Sequence, residues 1–533
     1  MATKIVLKLQ SLSDNIYVSY WIMFLALSIK IIFLVFLHHK APNTDGIRYL
    51  QAAQAFADGN FSIALKIYPM PAYPFLINIF HTFIPDWLLA ARTISAISYI
   101  CTTIILYNMT KELFDQRAAF WASLVFILIP FQNEMTILVY RGPIYLLSFS
   151  LSMYMMVIAI KYKDTYKIFF AAFLGTLPMI FRIEGFFLPF AFIVFTIILS
   201  IFSSYKKIKL ISGVGIWIFF IIVSSFLFNL KMDKDITNFN RIEEIQVFFD
   251  QFIDLNFLNH YDQISDRLKN LEKSSSMPSE DQNLAEIARQ FMWLLYLIGL
   301  IQTLIKAIFP LYIIPLFFAQ WKSLKTEHFF FFWIIFCYLL LLYYSLIVKD
   351  FTNTRFVFTA AFLFLPWIGS GLNRLSSWVQ KSRSSQVLCS LFLICFLCAP
   401  VYANLNKFET PDQSSIKAGQ WLKTNGLEKA RIIGNDPRIP FEAGLTSLHV
   451  SKQYIQYRPE DRNYSNIEKR ALKTNRDLIM LKLRKNKLHR LPELEQFFEI
   501  KRFEHGPKVL FVFASHHFIE NLPPSLNLDM HIE

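Results

Sequence analysis

Residues 168–203 read IFFAAFLGTLPMIFRIEGFFLPFAFIVFTIILSIFS, and Arg182 and Glu184 are the only charged side chains among them. One helix needs about 20 mostly apolar residues to cross the hydrocarbon layer of a membrane. The stretch therefore predicts two spans, 168–182 and 186–203, joined by a turn that is too short to be a solvated loop. This pattern is typical of a helical membrane protein.

The composition of the whole chain indicates the same environment. Of its 533 residues, 54% are hydrophobic, 17% aromatic and 17% charged, whereas an ordinary soluble protein is about 25% charged. This excludes a soluble multidomain enzyme, because so much apolar surface needs a lipid solvent. The formal net charge of +14 suits Lys and Arg on the cytoplasmic side of a membrane, so we expect no nucleic-acid partner.

Apolar runs of spanning length predict about eleven transmembrane helices. With the N-terminus inside, the short inner segments carry more Lys and Arg than the short outer ones, as the positive-inside rule requires. We therefore predict a multi-pass protein of the cell inner (cytoplasmic) membrane, with a cytoplasmic N-terminus and an extracytoplasmic C-terminal domain. The runs lie at 17–37, 87–107, 118–133, 143–160, 168–182, 186–203, 210–229, 304–321, 329–348, 356–372 and 386–403.

The five cysteines all fall in apolar stretches. They predict neither a disulfide framework nor a zinc site. Cys395 and Cys398 form a CxxC inside a run of Leu, Phe and Ile, where small apolar side chains are the simpler interpretation.

The chain divides by composition near residue 404. Residues 1–403 form the predicted polytopic α-helical domain, with long polar outer loops at 38–86 and 230–291. Residues 404–533 have ordinary soluble composition and predict a small extracytoplasmic α/β domain. Its predicted elements are a helix at 414–424 and strands at 430–434, 477–483, 498–503 and 509–514.

The outer loop 230–291 predicts a movable flap. Its stretch from Arg241 to Leu258 places apolar residues on one helical face, which is typical of a helix lying at the membrane interface. The run SSSMPSED at 274–281 follows as a flexible connection.

Ionisable side chains gather at the outer ends of the predicted spans. A transporter is expected to place some of them near mid-bilayer, so this arrangement favours chemistry at one membrane surface. Lys30 and Arg92 are exceptions within spans, and we expect both to extend toward an interface. The outer groups are Asp45, Arg48, Glu134, Arg141, Arg182, Glu184, Asp350 and Arg355.

Arg182 and Glu184 provide the sharpest local signal. They predict either a pocket or an ion pair that only satisfies itself at a helix junction. In a pocket, Arg182 suits a lipid phosphate, because its planar guanidinium group donates two parallel hydrogen bonds.

The first outer loop holds the second candidate. It contains TDGIRY at 44–49 and YPMPAYP at 68–74, and the prolines predict an extended segment. Asp45 stands just beyond the first span, where an Asp serves either as a catalytic group or as a helix cap.

At these residues the sequence resembles the C-type membrane glycosyltransferases (GT-C), in the branch of the protein O-mannosyltransferases and bacterial lipid A aminoarabinose transferases. The similarity lies in Asp45 with Arg48-Tyr49, the 68–74 stretch, the Arg-x-Glu-Gly turn at 182–185, and Arg355 at a late span. Gly46 departs from the family, which often has a second acid at that position. Glu134 or Glu184 is then the candidate second acid.

The resemblance implies a glycosyltransferase that moves a sugar from a polyprenyl-phosphate donor to a lipid, glycan or protein acceptor, with inversion. It assigns catalysis to Asp45, as general base, and to Glu184. No cofactor is required. A divalent metal bridging a carboxylate and the phosphate is compatible, although no ligand cluster in the sequence demands one. The substrate-binding candidates are Arg48, Tyr49, Arg141, Arg182 and Arg355.

A transporter or flippase of a lipid-linked saccharide is the alternative, because many spans and basic outer residues also suit movement of a lipid phosphate. An assembly or scaffold protein is the third interpretation. Convergence of Asp45, Arg182 and Glu184 on one outward cavity favours the enzyme, whereas a path open alternately to both sides favours transport.

Overall fold

The computed structural model describes most of the chain as helical. The chain folds into two compact units, and each unit is assembled from separate segments. The first unit comprises Met1–Val35, Ile94–Thr136 and Arg141–Lys407, and the second comprises Phe36–Thr93, Ile137–Tyr140 and Phe408–Glu533. The described residues are 2–37, 40, 42–202, 256–273, 278–321, 324–349, 353–378, 383–406, 413–444, 453–457 and 464–521.

Long apolar helices dominate the first unit, and three of them, α2, α6 and α8, end or begin in the second unit. Five of the described helices, α2, α6, α9, α16 and α17, are long and apolar enough to span a membrane, and the bent pairs α7–α8 and α13–α14 raise the number to seven. This confirms a polytopic helical membrane protein. The helices are α1 (Ala2–Ser13), α2 (Val18–Phe36), α6 (Trp87–Leu113), α7 (Gln116–Leu128), α8 (Pro130–Ile137), α9 (Gly142–Lys161), α10 (Thr165–Phe181), α11 (Phe187–Phe202), α12 (Asn256–Glu272), α13 (Ser279–Gln290), α14 (Met292–Ile308), α15 (Ile314–Phe317), α16 (Thr326–Lys349), α17 (Thr354–Trp378) and α18 (Arg383–Leu405).

The predicted span at 304–321 is wrong. The apolar helix there is α14, which begins at Met292 and ends at Ile308. Phe309 takes a positive φ of 81° and precedes Pro310. Because proline disfavours the helical conformation of the residue before it, the helix cannot continue past this point.

The structure describes only part of the predicted flap, and that part is helical. The predicted span at 210–229 and the amphipathic segment as far as residue 255 lie outside the described residues. The described remainder forms a helical hairpin of α12 and α13, in which Arg289 Nε donates to Glu272 Oε2 at 3.1 Å. Residues 279–281 of the predicted flexible connection are the first residues of α13.

Close packing in the first unit depends on small residues. Gly369 of α17 lies against α7, and a Cβ at this position would be 2.7 Å from the Ala122 Cβ. Glycine and alanine let helix backbones approach each other, which is how helices in lipid gain van der Waals contact.

Lys30 does not extend to an interface, which corrects the sequence expectation. Its side chain on α2 is only 2% exposed. The Nζ atom donates to the side chains of Gln132, Asn133 (2.7 Å) and Thr136 (3.0 Å) on α8. The buried Lys30 amino group therefore finds its hydrogen-bond partners inside the helical unit.

The same polar side chains repair the break between α7 and α8. These helices meet at an angle of 52°, and Pro130 has no N–H to offer the preceding turn. The amide of Gln132 donates to the Phe126 carbonyl oxygen at 2.7 Å, and that of Asn133 donates to the Ile127 carbonyl oxygen at 3.0 Å. The amide of Asn404 donates to the Leu128 carbonyl oxygen at 2.8 Å.

Arg92 is also buried rather than extended to an interface. It is 2% exposed, and its guanidinium group donates to the carbonyl oxygens of Ile137 (Nε, 2.8 Å) and Lys40. These contacts join two of the segments of the second unit, Phe36–Thr93 and Ile137–Tyr140.

The second unit combines the first polar loop with the C-terminal residues. A five-stranded sheet has the order β2-β1-β3-β5-β4, in which β2, β1 and β3 are parallel and β3, β5 and β4 are antiparallel. The elements are α3 (Thr44–Ala57), α4 (Phe61–Ile67), α5 (Ala72–His81), α19 (Ser414–Thr424), β1 (Ile432–Gly434), α20 (Arg438–Glu442), β2 (Tyr454–Gln456), α21 (Ile467–Lys473), β3 (Leu478–Arg484), β4 (Phe497–His505), β5 (Lys508–Ser515) and α22 (His516–Glu520).

This unit confirms the predicted helix and the four predicted strands, and it adds β2. Ile47 of α3 joins the apolar cluster that contains Ile432 and Leu478, so the first loop packs on the sheet domain. The predicted extended segment at 68–74 is too long, because α5 begins at Ala72 and includes Pro74 in its first turn. Proline is tolerated in the first turn of a helix, where its missing N–H costs no intrahelical bond.

Candidate functional site

The turn between α10 and α11 positions the first set of candidate residues. Residues Ile183–Phe186 form one 3₁₀ turn, and Gly185 N donates to the Arg182 carbonyl oxygen at 2.9 Å. A Cβ on Gly185 would lie 2.5 Å from the Pro178 carbonyl oxygen. The glycine of the Arg-x-Glu-Gly turn is therefore required by the close approach of the turn to α10.

Arg182 and Glu184 form a direct ion pair. Nε and Nη2 of Arg182 donate to Oε2 and Oε1 of Glu184 at 3.2 and 2.8 Å, and their side chains are 7% and 18% exposed. The structure therefore agrees with both interpretations of the sequence, an ion pair at a helix junction and a buried pocket, because the pair is formed and is largely buried.

Aromatic side chains surround the Arg182 guanidinium group. Its carbon lies 5.2 Å from the centre of the Tyr145 ring and 4.9 Å from that of Phe356. Nη1 also donates to the Arg355 carbonyl oxygen at 3.4 Å. The packing holds Arg182 in one orientation.

Two further arginines come to the same junction. Nη1 of Arg141 donates to the Phe181 carbonyl oxygen at 3.0 Å, and the Arg355 guanidinium carbon lies 5.1 Å from the centre of the Phe356 ring. We call Arg141, Arg182, Glu184 and Arg355 the arginine cluster. Its four groups carry an excess of two positive charges, which suits an anionic ligand.

The helices add to this preference for an anion. Arg141 immediately precedes α9, and Arg355 is the second residue of α17. Two helix N-termini therefore belong to the cluster, and the partial positive charge of a helix N-terminus attracts anions.

Asp45 is the second residue of α3, but it is not the cap of that helix. Asn43 is the N-cap, and its side chain accepts a hydrogen bond from Gly46 N at 3.2 Å. Asp45 is half-buried in the first turn, where a carboxylate is favoured by the helix dipole. The capping explanation for Asp45 therefore does not apply.

Gly46, the position noted above as a departure from the resembled family, lies in a closely packed part of α3. A Cβ at Gly46 would lie 2.6 Å from Asn43 Oδ1 and 2.7 Å from the Val139 Cβ. The backbone of α3 is too close to its neighbours to carry a side chain at this position.

The other candidates on α3 differ in exposure. Tyr49 is 3% exposed, with its ring packed edge-on against Tyr68 and Tyr73 at centroid distances of 4.7 and 5.3 Å. This gives Tyr49 a packing role, and its contact with substrate stays a prediction. Arg48 is half-buried and lines a cleft together with Gln51.

Sequence reasoning missed several polar residues that the structure brings together. Gln51, Tyr454 and Gln456 line the cleft beside Arg48. The spacing of Thr44, Arg48 and Gln51 on one helical face was the available signal, whereas nothing local indicated the two residues of β2.

The remaining candidates do not join these groups. Glu134 is half-buried on α8, and Asp350 lies outside the described residues. Within the described part of the chain, no group of three His, Cys, Asp or Glu side chains could hold a metal ion.

The structure thus forms two sets of candidate residues. Arg141, Arg182, Glu184 and Arg355 come together in the first unit. Asp45, Arg48 and Tyr49 share α3 in the second unit.

Sequence comparison gives one family match. Residues 69–228 match the family described as dolichyl-phosphate-mannose-protein mannosyltransferase. No curated protein matches the sequence.

Solved structures share the fold at low sequence identity. ArnT from Cupriavidus metallidurans bound to undecaprenyl phosphate has 12% identity and a TM-score of 0.52, covering 93% of this chain and 98% of that one. The archaeal oligosaccharyltransferase AglB from Archaeoglobus fulgidus, in complex with an inhibitory peptide and a dolichol-phosphate, has 11% identity and a TM-score of 0.53, covering 96% and 76%. The Archaeoglobus fulgidus oligosaccharyltransferase in complex with Zn and sulfate has 11% identity and a TM-score of 0.50, covering 95% and 74%.

These similarities confirm the predicted GT-C-like fold and the resemblance to membrane glycosyltransferases. They give no support to the transporter alternative.

Proposed function

We propose that this chain, a polytopic membrane glycosyltransferase with the GT-C fold, transfers a sugar from a polyprenyl-phosphate donor to an acceptor on the extracytoplasmic side of the inner membrane. The observation that carries the proposal is the arginine cluster. The similar ArnT structure holds undecaprenyl phosphate, and the similar AglB structure holds a dolichol-phosphate. We extend this class of ligand to the present chain.

The charge of the arginine cluster matches the charge that develops in the reaction. A sugar polyprenyl phosphate is a phosphodiester with one negative charge, whereas the departing polyprenyl phosphate is a monoester that approaches two. The excess positive charge of the cluster stabilises the added charge in the transition state, because fixed donors in a water-poor site need no reorganisation.

Arg182 can bind the phosphate while it keeps its ion pair. A guanidinium group has five N–H donors, and three of those of Arg182 contact Glu184 and the Arg355 carbonyl oxygen. The remaining N–H groups on Nη1 and Nη2 are available to phosphate oxygens. Glu184 then acts as a positioning residue for Arg182.

Asp45 is the proposed general base. It takes the proton from the acceptor hydroxyl as the acceptor oxygen bonds to the anomeric carbon and the bond from that carbon to the phosphate oxygen breaks. Direct displacement inverts the anomeric configuration and forms no covalent enzyme intermediate. The acceptor is a lipid, a glycan or a protein.

A reconstituted transfer assay tests the proposal. Purified protein in proteoliposomes receives a radiolabelled polyprenyl-phosphate sugar and an extract of envelope lipids and glycans. We expect a labelled product whose new glycosidic bond has the inverted configuration by NMR. Movement of intact donor across the bilayer without a new bond would support a flippase instead.

A further inference from the structure

A cleft in the second unit lies between α3 and the carboxyl ends of β1 and β2. Thr44, Arg48 and Gln51 line it from α3, and Pro437, Tyr454 and Gln456 line it from the sheet domain. The cleft encloses about 340 Å³, open solvent included.

One buried side chain indicates that the cleft receives a ligand. Gln51 is 2% exposed, and neither Nε2 nor Oε1 has a hydrogen-bond partner in the part of the chain that the structure describes. A buried amide without partners costs free energy. A ligand with hydroxyl groups in the cleft would satisfy the donor and the acceptor of Gln51 together.

The position of the cleft in the fold supports the same conclusion. The parallel strands of the sheet have the order β2-β1-β3. Ligands of open sheets with parallel strands bind outside the carboxyl ends of the strands. Pro437 follows β1 at this end, and Gln456 is paired with Gly434 on the neighbouring strand.

The turn that carries Pro437 is held rigidly. Asn435 accepts a hydrogen bond from Lys482 N at 2.9 Å and donates to the Lys482 carbonyl oxygen at 3.0 Å. The carboxylate of Asp436 accepts hydrogen bonds from Ser415 Oγ at 2.8 Å and from Arg438 Nε at 2.8 Å. The sheet side of the cleft is therefore preorganised.

The lining residues match the chemistry of an acidic sugar. Thr44, Gln51 and Gln456 offer hydroxyl and amide groups for sugar hydroxyls, and the rings of Tyr454 and Pro437 offer apolar surface for sugar C–H groups. Arg48 and the N-terminus of α3 favour negative charge. None of the described lining residues is acidic.

We propose that this cleft binds a saccharide bearing a carboxylate or a phosphate, and that this saccharide belongs to the acceptor. Asp45 follows Thr44 on α3, so the cleft begins one residue away from the proposed base. The acceptor role rests on the proposed function, whereas binding of the saccharide does not.

Binding measurements on the purified full chain test the cleft. Glucose, glucuronate and glucose 6-phosphate are titrated separately by calorimetry. We expect at least one acidic sugar to bind about tenfold or more tightly than glucose, and the pair of acidic probes distinguishes carboxylate from phosphate. Equal affinity for glucose and both acidic sugars, or no binding at all, would overturn the proposal.

Substitutions inside and outside the cleft test which residues bind the sugar. Gln51→Leu and Gln456→Leu should weaken acidic-sugar binding about tenfold, whereas Gln420→Leu, on an exposed position of α19, should not. Arg48→Gln should lower the affinity for glucuronate to that for glucose while glucose binding is retained, a result that misfolding cannot produce. Unchanged binding in all three cleft variants would refute the assignment.

The same measurements distinguish this inference from the proposed function. Asp45→Asn should retain acidic-sugar binding while it loses transfer. Sugar binding in the cleft without any transfer by the wild-type protein would count against the proposed function only. Transfer that depends on Asp45 but not on Gln51 or Gln456 would count against the cleft only.

Discussion

Nε and Nη2 of Arg182 contact both carboxylate oxygens of Glu184, which is only two residues further along the chain. The pair forms within one turn, and it orients the guanidinium group together with the Tyr145 and Phe356 rings. The orientation leaves part of the guanidinium group available, and this makes a phosphate-binding role testable.

Arg182→Lys should impair sugar transfer although it keeps the charge. An ammonium group cannot give the fork of parallel hydrogen bonds to a phosphate. Loss of one charged hydrogen bond of about 1.5–3 kcal/mol predicts roughly a 10- to 100-fold fall in kcat/KM. Transfer and donor affinity are measured in detergent, with Arg374→Lys on an exposed position of α17 as the control. A folded Arg182→Lys protein with undiminished donor affinity would contradict the phosphate role.

Asp45→Asn should abolish turnover while the protein still inserts and binds its donor. The amide is nearly isosteric but cannot take the acceptor proton, and a general base contributes about 10² to 10⁴ in rate. The assay follows transfer from a radiolabelled polyprenyl-phosphate donor, with donor binding measured separately.

Asn43→Ala is the matched control for Asp45→Asn. It removes the helix cap and should cost about 1 kcal/mol of stability while transfer continues. Near wild-type transfer by Asp45→Asn would remove Asp45 from the mechanism and direct attention to Glu134 and Glu184.

The C-terminal domain should lie on the extracytoplasmic side. A reporter that is active only outside the cytoplasm, fused after Asn404, should show activity. The odd number of predicted spans places this residue opposite a cytoplasmic N-terminus. Activity of a cytoplasmic reporter at the same position would reverse the proposed side of the reaction.

Lys30→Met should destabilise the first unit. The substitution leaves the side-chain oxygens of Gln132 and Asn133 buried without their ammonium partner, at a cost of about 3 kcal/mol. Thermal unfolding of the solubilised protein measures the effect, and Lys111→Met at an exposed position serves as the control. Equal unfolding temperatures for the two variants would show that the buried network contributes little.

Stability of the C-terminal sheet domain should fall in acid through Asp436. Burial by itself raises the pKa of this carboxyl, but the hydrogen bond and charge of Arg438 and the charge of Lys482 lower it to about 2. Because the pKa of Asp436 is lower in the folded protein than its value of about 3.9 in the unfolded chain, the ionised carboxylate stabilises the fold at pH values above about 3.9. This stabilisation is lost as the pH falls through about 2. The contribution is roughly 2 kcal/mol.

The measurement for Asp436 is tryptophan fluorescence of the full chain during unfolding between pH 6 and pH 2, compared between the variants. Asp436→Asn should remove part of the pH dependence, whereas Asp58→Asn at an exposed position should leave it intact. An unchanged pH profile in Asp436→Asn would show that this carboxylate is not the responsible group.

Local sequence patterns predicted most of the architecture correctly. Five predicted spans coincide with the helices that are long enough to cross a membrane, and the four predicted strands and the helix at 414–424 are present. The error at 304–321 came from treating a continuous apolar run as one helix and ignoring Pro310, which interrupts it. The three-residue strand β2 was missed because it has too few residues to show a period.

The candidate site was predicted in part. Arg182 and Glu184 stood out because charges are rare in apolar runs, and the structure pairs them. Arg141 and Arg355 were chosen by their place along the chain, and the structure brings both to the same junction. Gln456 carried no signal, since a single amide in a polar segment is ordinary, and Gln51 was indicated only by its helical spacing from Thr44 and Arg48.

The sequence by itself determined that the chain lies in a membrane, where its helices run, and which charged residues are unusual, because apolar length and charge spacing are local properties. The tertiary structure alone decided which of those residues meet. Lys30 contacts Gln132 across 102 positions, and Arg182 contacts the Arg355 carbonyl oxygen across 173. These contacts depend on how helices that are distant in the sequence pack together. In a low-dielectric interior each polar group must find a hydrogen-bond partner, and the packing determines which donors and acceptors are within reach.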